Sequence, residues 1–254
     1  AGTDLGQDNM GLLVQRDIDT LGVQIVAGKT FRWKARYGQA LSHATTLATE
    51  LNVLENHIPA LPPEYQDSQF VFLAANDPHL QAAALQQLKP PHFCLCDTMN
   101  LWIGGERESL LALLRQVHAL ALNDEEARQL CETSNLVQAA QKLHSWGPST
   151  VIIKRGEHGA LLSHRGSLFL VPGFPLSRVV DPTGAGDALA GGLIGYLSQV
   201  GSVTEEHLRR GLLYGNVLAS FTIEDFGVGR LKTLTGDDIE QRYKQMCRMT
   251  QLIT

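Results

Sequence analysis

The sequence predicts an α/β fold in which a mainly parallel sheet is covered by helices on both faces. Three observations carry that expectation. Short apolar runs recur along the chain, among them Phe70-Val71-Phe72-Leu73, Ala119-Leu120-Ala121-Leu122 and Val151-Ile152-Ile153. Stretches of roughly 10–15 residues with helical spacing separate them, the rhythm of βαβ units. No internal repeat, low-complexity tract or linker breaks that rhythm, so a single domain over residues 1–254 is expected.

Composition narrows the functional classes. With 254 residues, 44% hydrophobic and 19% charged, the chain is long and apolar enough for a sizeable core. A formal net charge of -5 supplies no basic field, so neither nucleic acid nor a membrane surface is expected as a partner. An anionic ligand would need a local site. No apolar run approaches ~18 residues and no signal peptide is visible, so a cytoplasmic location is expected. Of the four cysteines, Cys94, Cys96, Cys131 and Cys247, none forms a C-x-x-C pair. They read as small buried hydrophobes in a reducing compartment.

In chain order, Gln7 to Arg16 has the spacing of a short helix. From Val23 the pattern alternates, and Gly28-Lys29 is expected to turn a β-hairpin within residues 22–54. Its polar face carries Lys29, Arg32, Lys34 and Arg36. Residues 70–75 form a candidate buried strand, 78–88 a helix, and 92–100 a strand ending in a polar loop. Residues 109–117 read as a helix and 119–123 as a strand. Asp124, Glu125 and Glu126 then open a helix with acids where its dipole favours them. A helix over 135–147, a strand over 149–156 and a hairpin over 159–173 follow. Arg178-Val179-Val180-Asp181 reads as the last strand, and long helices run from Asp187 to the C-terminus.

The segment Asp181-Pro182-Thr183-Gly184-Ala185-Gly186-Asp187 stands where that last strand would meet its helix. In an open α/β sheet, ligands bind in loops beyond the carboxyl ends of the strands. A Gly184-Ala185-Gly186 turn at a helix N-terminus would aim unpaired N–H groups and the positive dipole end at one point, forming an anion hole. Asp187 beside it suits a general base better than an anion ligand, because like charges repel. The plainer reading, a tight glycine turn whose helix Asp187 caps, has equal standing on spacing alone. A P-loop is excluded by composition. A dinucleotide fingerprint fails because Leu189 stands where its third glycine belongs.

The D-x-T-G-A-G-D motif, followed by an Ala/Gly-rich helix, resembles the C-terminal signature of the PfkB carbohydrate kinase (ribokinase-like) family. Asn123-Asp124-Glu125-Glu126 resembles that family's N-x-x-E motif. Lys154-Arg155-Gly156-Glu157-His158-Gly159 resembles its ATP-flanking loop, and Gly2-Thr3-Asp4-Leu5-Gly6 its G-x-D-x-G stretch. The resemblance covers nearly the whole chain. It implies a ribokinase-like α/β fold with a small β lid at about residues 22–54, and ATP-dependent phosphorylation of a hydroxyl on a sugar or related polyol. A nucleoside or vitamin alcohol is the alternative acceptor, and nucleotide binding without turnover the alternative class.

The same resemblance implies roles residue by residue. Asp187 would be the base, and the N–H groups of Gly184, Ala185 and Gly186 the anion hole. Asn123, Lys154, Arg155, Gly156, Gly159, Asn216 and Gly227 would contact ATP. Glu126 would hold Mg2+, and Asp181 and Thr183 a monovalent cation such as K+. Asn76 would touch the substrate, and two copies would pair into a homodimer through the β lid. Family members also carry a first strand with a substrate-binding aspartate and then a Gly-Gly motif. Neither lies after Ala1, and both are expected to be missing from this chain.

Overall fold

The computed structural model describes residues 1–38, 44–55 and 57–251. The chain divides into two compact units: Ala1–Ser68 with Ala82–Pro90, and Gln69–Gln81 with Pro91–Thr254.

The first unit holds helix α1 (Gln7–Gln15) and a two-stranded antiparallel ribbon of β1 (Arg32–Tyr37) and β2 (Ala44–Glu50). The ribbon is where the sequence suggests, but its turn is not at Gly28-Lys29. Strand β1 pairs with β2 from Arg32↔Glu50 to Tyr37↔Ala44, so Gly28-Lys29 lies outside the ribbon; the residues joining the strands, 39–43, lie outside the described set. Residues near Gly28 bond to the N-terminal segment instead. Thr3 N–H donates to the Gly28 carbonyl at 3.0 Å, and Gly2 bridges Val26. Of the basic row, Arg32 pairs with Asp4 at 3.0 Å, and Arg32, Lys34 and Arg36 share the exposed face of β1.

The second unit is built on a six-stranded sheet ordered β3-β4-β5-β6-β7-β8. These are Phe70–Leu73, Phe93–Asp97, Ala119–Asn123, Thr150–Lys154, Ala160–His164 and Ser167–Val171. Strands β3 to β6 run parallel, and β7 and β8 add an antiparallel edge. Buried on both faces, the central strands tolerate continuous apolar runs. Alternation sends Phe93, Leu95, Ala119, Ala121 and Ile152 to one face. There they join Leu189, Leu193 and Leu197 of α7 (Ala185–Val200) and Leu208 and Leu212 of α8 (Glu205–Thr222) in one buried cluster. Burying each such leucine contributes about 2 kcal/mol. Cys94, Cys96, Leu120, Leu122, Val151 and Ile153 fill the opposite face, where α5 (Asp124–Cys131) and α6 (Leu136–Ser145) pack.

The remaining helices are α2 (Pro78–Leu85), α3 (Asn100–Gly105), α4 (Arg107–Leu114) and α9 (Gly236–Thr250). The expected helix at 109–117 therefore starts earlier, with Leu110, Leu113 and Leu114 as its buried stripe. Three of the cysteines are buried and all four are free thiols. The expected strand Arg178–Asp181 does not form. Its apolar pair reads like a strand, but it pairs with no strand of the sheet and its backbone bonds elsewhere. Val180 donates its N–H to the carbonyl of Ile223, just past α8, at 2.8 Å. No described helix is long and apolar enough to cross a membrane.

Candidate active site

The carboxyl ends of the three central parallel strands each finish on a polar side chain: Asp97 on β4, Asn123 on β5 and Lys154 on β6. Register brings them together, since Asp97 pairs with Ala121 and Asn123 with Lys154. Asn123 caps α5 and Glu126 answers it. The Asn123 side chain accepts the Glu126 N–H at 2.8 Å, and the Glu126 carboxylate accepts the Asn123 N–H at 2.7 Å. The cap fixes the Glu126 carboxylate at the strand end, where only 6% of the residue is exposed. Burial pushes its pKa up to about 7, against the lowering pull of Lys154 and the Asn123 amide.

Lys154 donates to Asp97 at 2.6 Å, with the aspartate side chain 3% exposed and the lysine 16%. Burial works against the ammonium, but Asp97 and then Glu126 outweigh it, so the Lys154 pKa lies above the usual lysine value. The other Asp97 oxygen accepts the Thr98 N–H at 2.8 Å. Gln81 ties the frame together, donating from its buried amide to the carbonyls of Ala74 at 2.8 Å and Asp97 at 2.9 Å.

Helix α7 brings its N-terminus to the same place. Its cap is Gly184 in a left-handed conformation, φ 83°, so Asp187 stands inside the first turn instead of capping it. A Cβ on Gly186 would lie 3.1 Å from Lys154 Nζ, so the ammonium sits close over this glycine and would have to shift by a few tenths of an ångström to admit a side chain. Asp187 is open to solvent, and among the described residues its carboxylate has no hydrogen-bond partner. Burial of its inner side and the Asp97 charge raise its pKa above the usual aspartate value, with Lys154 opposing. The Ala185 N–H donates to the Pro182 carbonyl at 3.2 Å, so that member of the expected anion hole is engaged within the protein.

The other expected site residues divide. Asp181 is buried and its carboxylate accepts the Thr183 N–H at 3.0 Å, bracing the loop before Gly184. Arg155 and Gly156 open the 3₁₀ turn beyond β6. Gly159 serves the backbone, because a Cβ there would fall 2.0 Å from the Val171 carbonyl oxygen, at φ 80°. Asn216 on α8 donates its side-chain amide to the Pro172 carbonyl at 2.6 Å, a tie between elements. Gly227 lies in an exposed loop. Asn76 follows β3, its side-chain oxygen accepting the Asp77 N–H at 2.8 Å. Sequence reasoning placed Asp97 in a strand-end loop without giving it a site role, and missed Gln81. Asp97 carried one signal, a carboxylate closing an otherwise apolar buried strand, whereas Gln81 carried none.

A charge cluster at the strand ends, facing a glycine-turn helix N-terminus, is an arrangement suited to handling a phosphate group. The chain belongs to the pfkB family of carbohydrate kinases, whose model matches residues 1–234. It is 31% identical over 217 residues to a cytidine kinase of Thermococcus kodakarensis, covering 83% of this chain and 76% of the relative. Among solved structures, a nucleoside kinase of Burkholderia thailandensis in complex with inosine superposes with a TM-score of 0.77. The match spans 96% of this chain and 79% of that one at 19% identity. A fructokinase of Vibrio cholerae, bound to fructose, ADP and calcium, gives a TM-score of 0.75 at 18% identity, covering 95% and 82%. The fold is thus ribokinase-like, with a mostly parallel sheet flanked by helices.

Proposed function

We propose that the chain transfers the γ-phosphoryl group of ATP to a ribose hydroxyl of a nucleoside. The observation that carries the choice of acceptor is the 31% identity to a cytidine kinase over most of both chains. It reverses the order suggested by sequence motifs, which put sugars first and nucleosides second. The fructokinase likeness, at 18% identity, speaks to the fold alone.

Asp187 accepts the proton of the attacking hydroxyl. Its carboxylate is unpaired, faces solvent beside the α7 N-terminus, and has a raised pKa that makes it a better proton acceptor. The acceptor oxygen forms its bond to the γ-phosphorus as the bond to the β–γ bridging oxygen breaks and ADP leaves. The N–H groups of Gly184 and Gly186 stabilise the charge spread over the phosphoryl oxygens, with Ala185 engaged by Pro182. Asn123, Arg155, Gly156 and Gly159 flank the nucleotide phosphates, with Asn216 and Gly227 toward its base.

Magnesium fits the donor set. Glu126 offers a buried carboxylate, and among the described residues no cluster of three or more His, Cys, Asp or Glu could cage an ion. Water and phosphate oxygens would complete the shell, as this cation prefers. When bound, it neutralises phosphate charge. The carbonyls of Asp181 and Thr183 would hold potassium, and Asn76 would meet the acceptor. The β1–β2 ribbon would serve as lid and pair two copies, in a cytoplasmic setting.

The test is product formation with ATP and magnesium across cytidine, inosine, other ribonucleosides, fructose and ribose. Phosphorylated nucleoside is expected. Product from free sugars alone would overturn the assignment, and ADP affinity without any product would mark a binding protein. Replacing potassium by choline should lower the rate if the Asp181–Thr183 loop holds a cation.

A further inference from the structure

One ammonium in this site has three carboxylates within electrostatic reach. Lys154 Nζ donates to Asp97 Oδ2 at 2.6 Å, and its charge also acts on Glu126 and Asp187. Asp97 is the most enclosed of the three at 2% exposed, against 6% for Glu126, while Asp187 is open to solvent. A buried carboxylate loses most by going unpaired, so the lysine is drawn there and not to Asp187. Both Asp97 oxygens are occupied, one by Lys154 and one by the Thr98 N–H, and Gln81 pins the Asp97 carbonyl. Each Asp97 carboxylate oxygen thus already accepts from a protein donor. Any influence it has on the reaction passes through Lys154.

The location of the ammonium gives that influence its direction. Nζ lies 3.1 Å from where a Gly186 Cβ would stand, over the first turn of α7, where free N–H groups and the positive dipole end gather. The same turn carries Asp187. An anion arriving at the helix N-terminus therefore meets the lysine and the glycine turn together, with the carboxylate base alongside.

We propose that Asp97 is a positioning residue that holds Lys154 over Gly186 as a cationic contact for phosphate oxygens and keeps it from pairing with Asp187. The proposal rests on the reading of Asp187 as the base. With Asp97 neutralised, the ammonium turns to the remaining carboxylates, and pairing with Asp187 occupies the lone pair the base must use. The buried pair thereby keeps a cation and a base apart although both serve one ligand.

The experiment compares Asp97→Asn, Lys154→Met and the double variant by calorimetric titration with ADP, by kcat and KM measured separately, and by thermal denaturation. Asp97→Asn is expected to lower kcat by ~10- to 100-fold and to weaken ADP binding by no more than Lys154→Met does, since the released ammonium leaves its place over Gly186. Lys154→Met should weaken ADP binding ~10-fold or more. The double variant should turn over no more slowly than Lys154→Met, because Asp97 acts through the lysine. Unchanged kcat in Asp97→Asn, or a kcat loss that only tracks lost thermal stability, would reduce the pair to a structural tie and overturn the proposal. Additive losses in the double variant would also overturn it. ADP titration needs no acceptor, so the placement of Lys154 is judged even if no nucleoside is phosphorylated.

Discussion

The two ends of the central sheet both gather polar side chains and treat them in opposite ways. At the carboxyl ends, Asp97, Lys154 and Glu126 are charged groups in a largely dry setting, and the Glu126 pKa is driven up to about 7 by burial. At the amino ends lies a cavity of about 450 Å³ lined by His92, His118, Ser149, His164 and Arg165 among others. There the enclosed histidine and hydroxyl groups pair as neutral partners, and the charged lining residues Arg165 and Glu205 stand exposed or half-exposed. His118 Nδ1 accepts the Cys94 N–H at 3.0 Å, and the Thr150 hydroxyl meets His164 Nδ1 at 2.9 Å. Burial holds both histidines below the usual histidine pKa, so they are uncharged near neutrality. Neutral, mutually satisfied pairs cost the fold little, whereas buried charge costs it several kcal/mol per ion. That cost is retained where the chemistry needs charge.

The comparison breaks most visibly at Asp187. Asp187→Ala should lower kcat by ~10²- to 10⁴-fold and leave ADP affinity within about threefold, because the base is removed and the anion site is not. Single-turnover assays and ADP titration together decide this, and unchanged turnover would sink the base. Next in size is Gly159→Ala, between β6 and β7. The Cβ would meet the Val171 carbonyl at 2.0 Å in a left-handed backbone, so about 3 kcal/mol of stability should be lost. Denaturant midpoints measure it, and a loss under about 1 kcal/mol would show that the turn can give.

How far the sequence reaches follows the same division. The apolar runs of β3 to β6 and the capping box at Asn123 were legible because local spacing dictates them. The glycine turn and Asp187 were legible as a motif. Asp97 was not, because its meaning depends on register: only the alignment of β4, β5 and β6 puts it under Lys154. Arg178–Asp181 failed as a strand for the converse reason, since strand character without a sheet neighbour makes no ladder. The misplaced turn at Gly28-Lys29 shows the limit of glycine as punctuation when nearby backbone groups bond elsewhere.

Glu126→Gln tests whether the strand-end charge costs stability. The folded-state pKa of about 7 lies above the ordinary glutamate value of about 4.5, so the folded chain holds this proton more tightly than the unfolded one. Stability from this group is therefore fully present below about 4.5 and is lost as pH rises through 7. The amide keeps the shape and an acceptor for the Asn123 N–H while removing the titration. In magnesium-free buffer at pH 8 the variant should be about 1–3 kcal/mol more stable than the parent, with the difference shrinking toward pH 5. Equal denaturation curves at both pH values would show that Glu126 is not strained by burial. Nucleotide binding with magnesium should weaken in the same variant, so function and stability move in opposite directions.

The smallest effect is expected at the other end of the sheet, from His164→Ala. The Thr150 hydroxyl would lose its partner, and an unmade hydrogen bond at a buried hydroxyl costs about 1 kcal/mol. The His164 pKa is lowered, by burial first and then by Arg165. Its neutral form is thus favoured by the fold, so its contribution is present above about 6.5 and is lost as pH falls below that value. The variant should lose less stability than the parent between pH 7 and 5, while kcat and ADP affinity stay within about twofold. A rate loss comparable to that of Asp187→Ala would mean that the histidine-lined cavity communicates with the strand ends. The sheet would then carry function at both of its ends, and buried charge would no longer mark where the chemistry is.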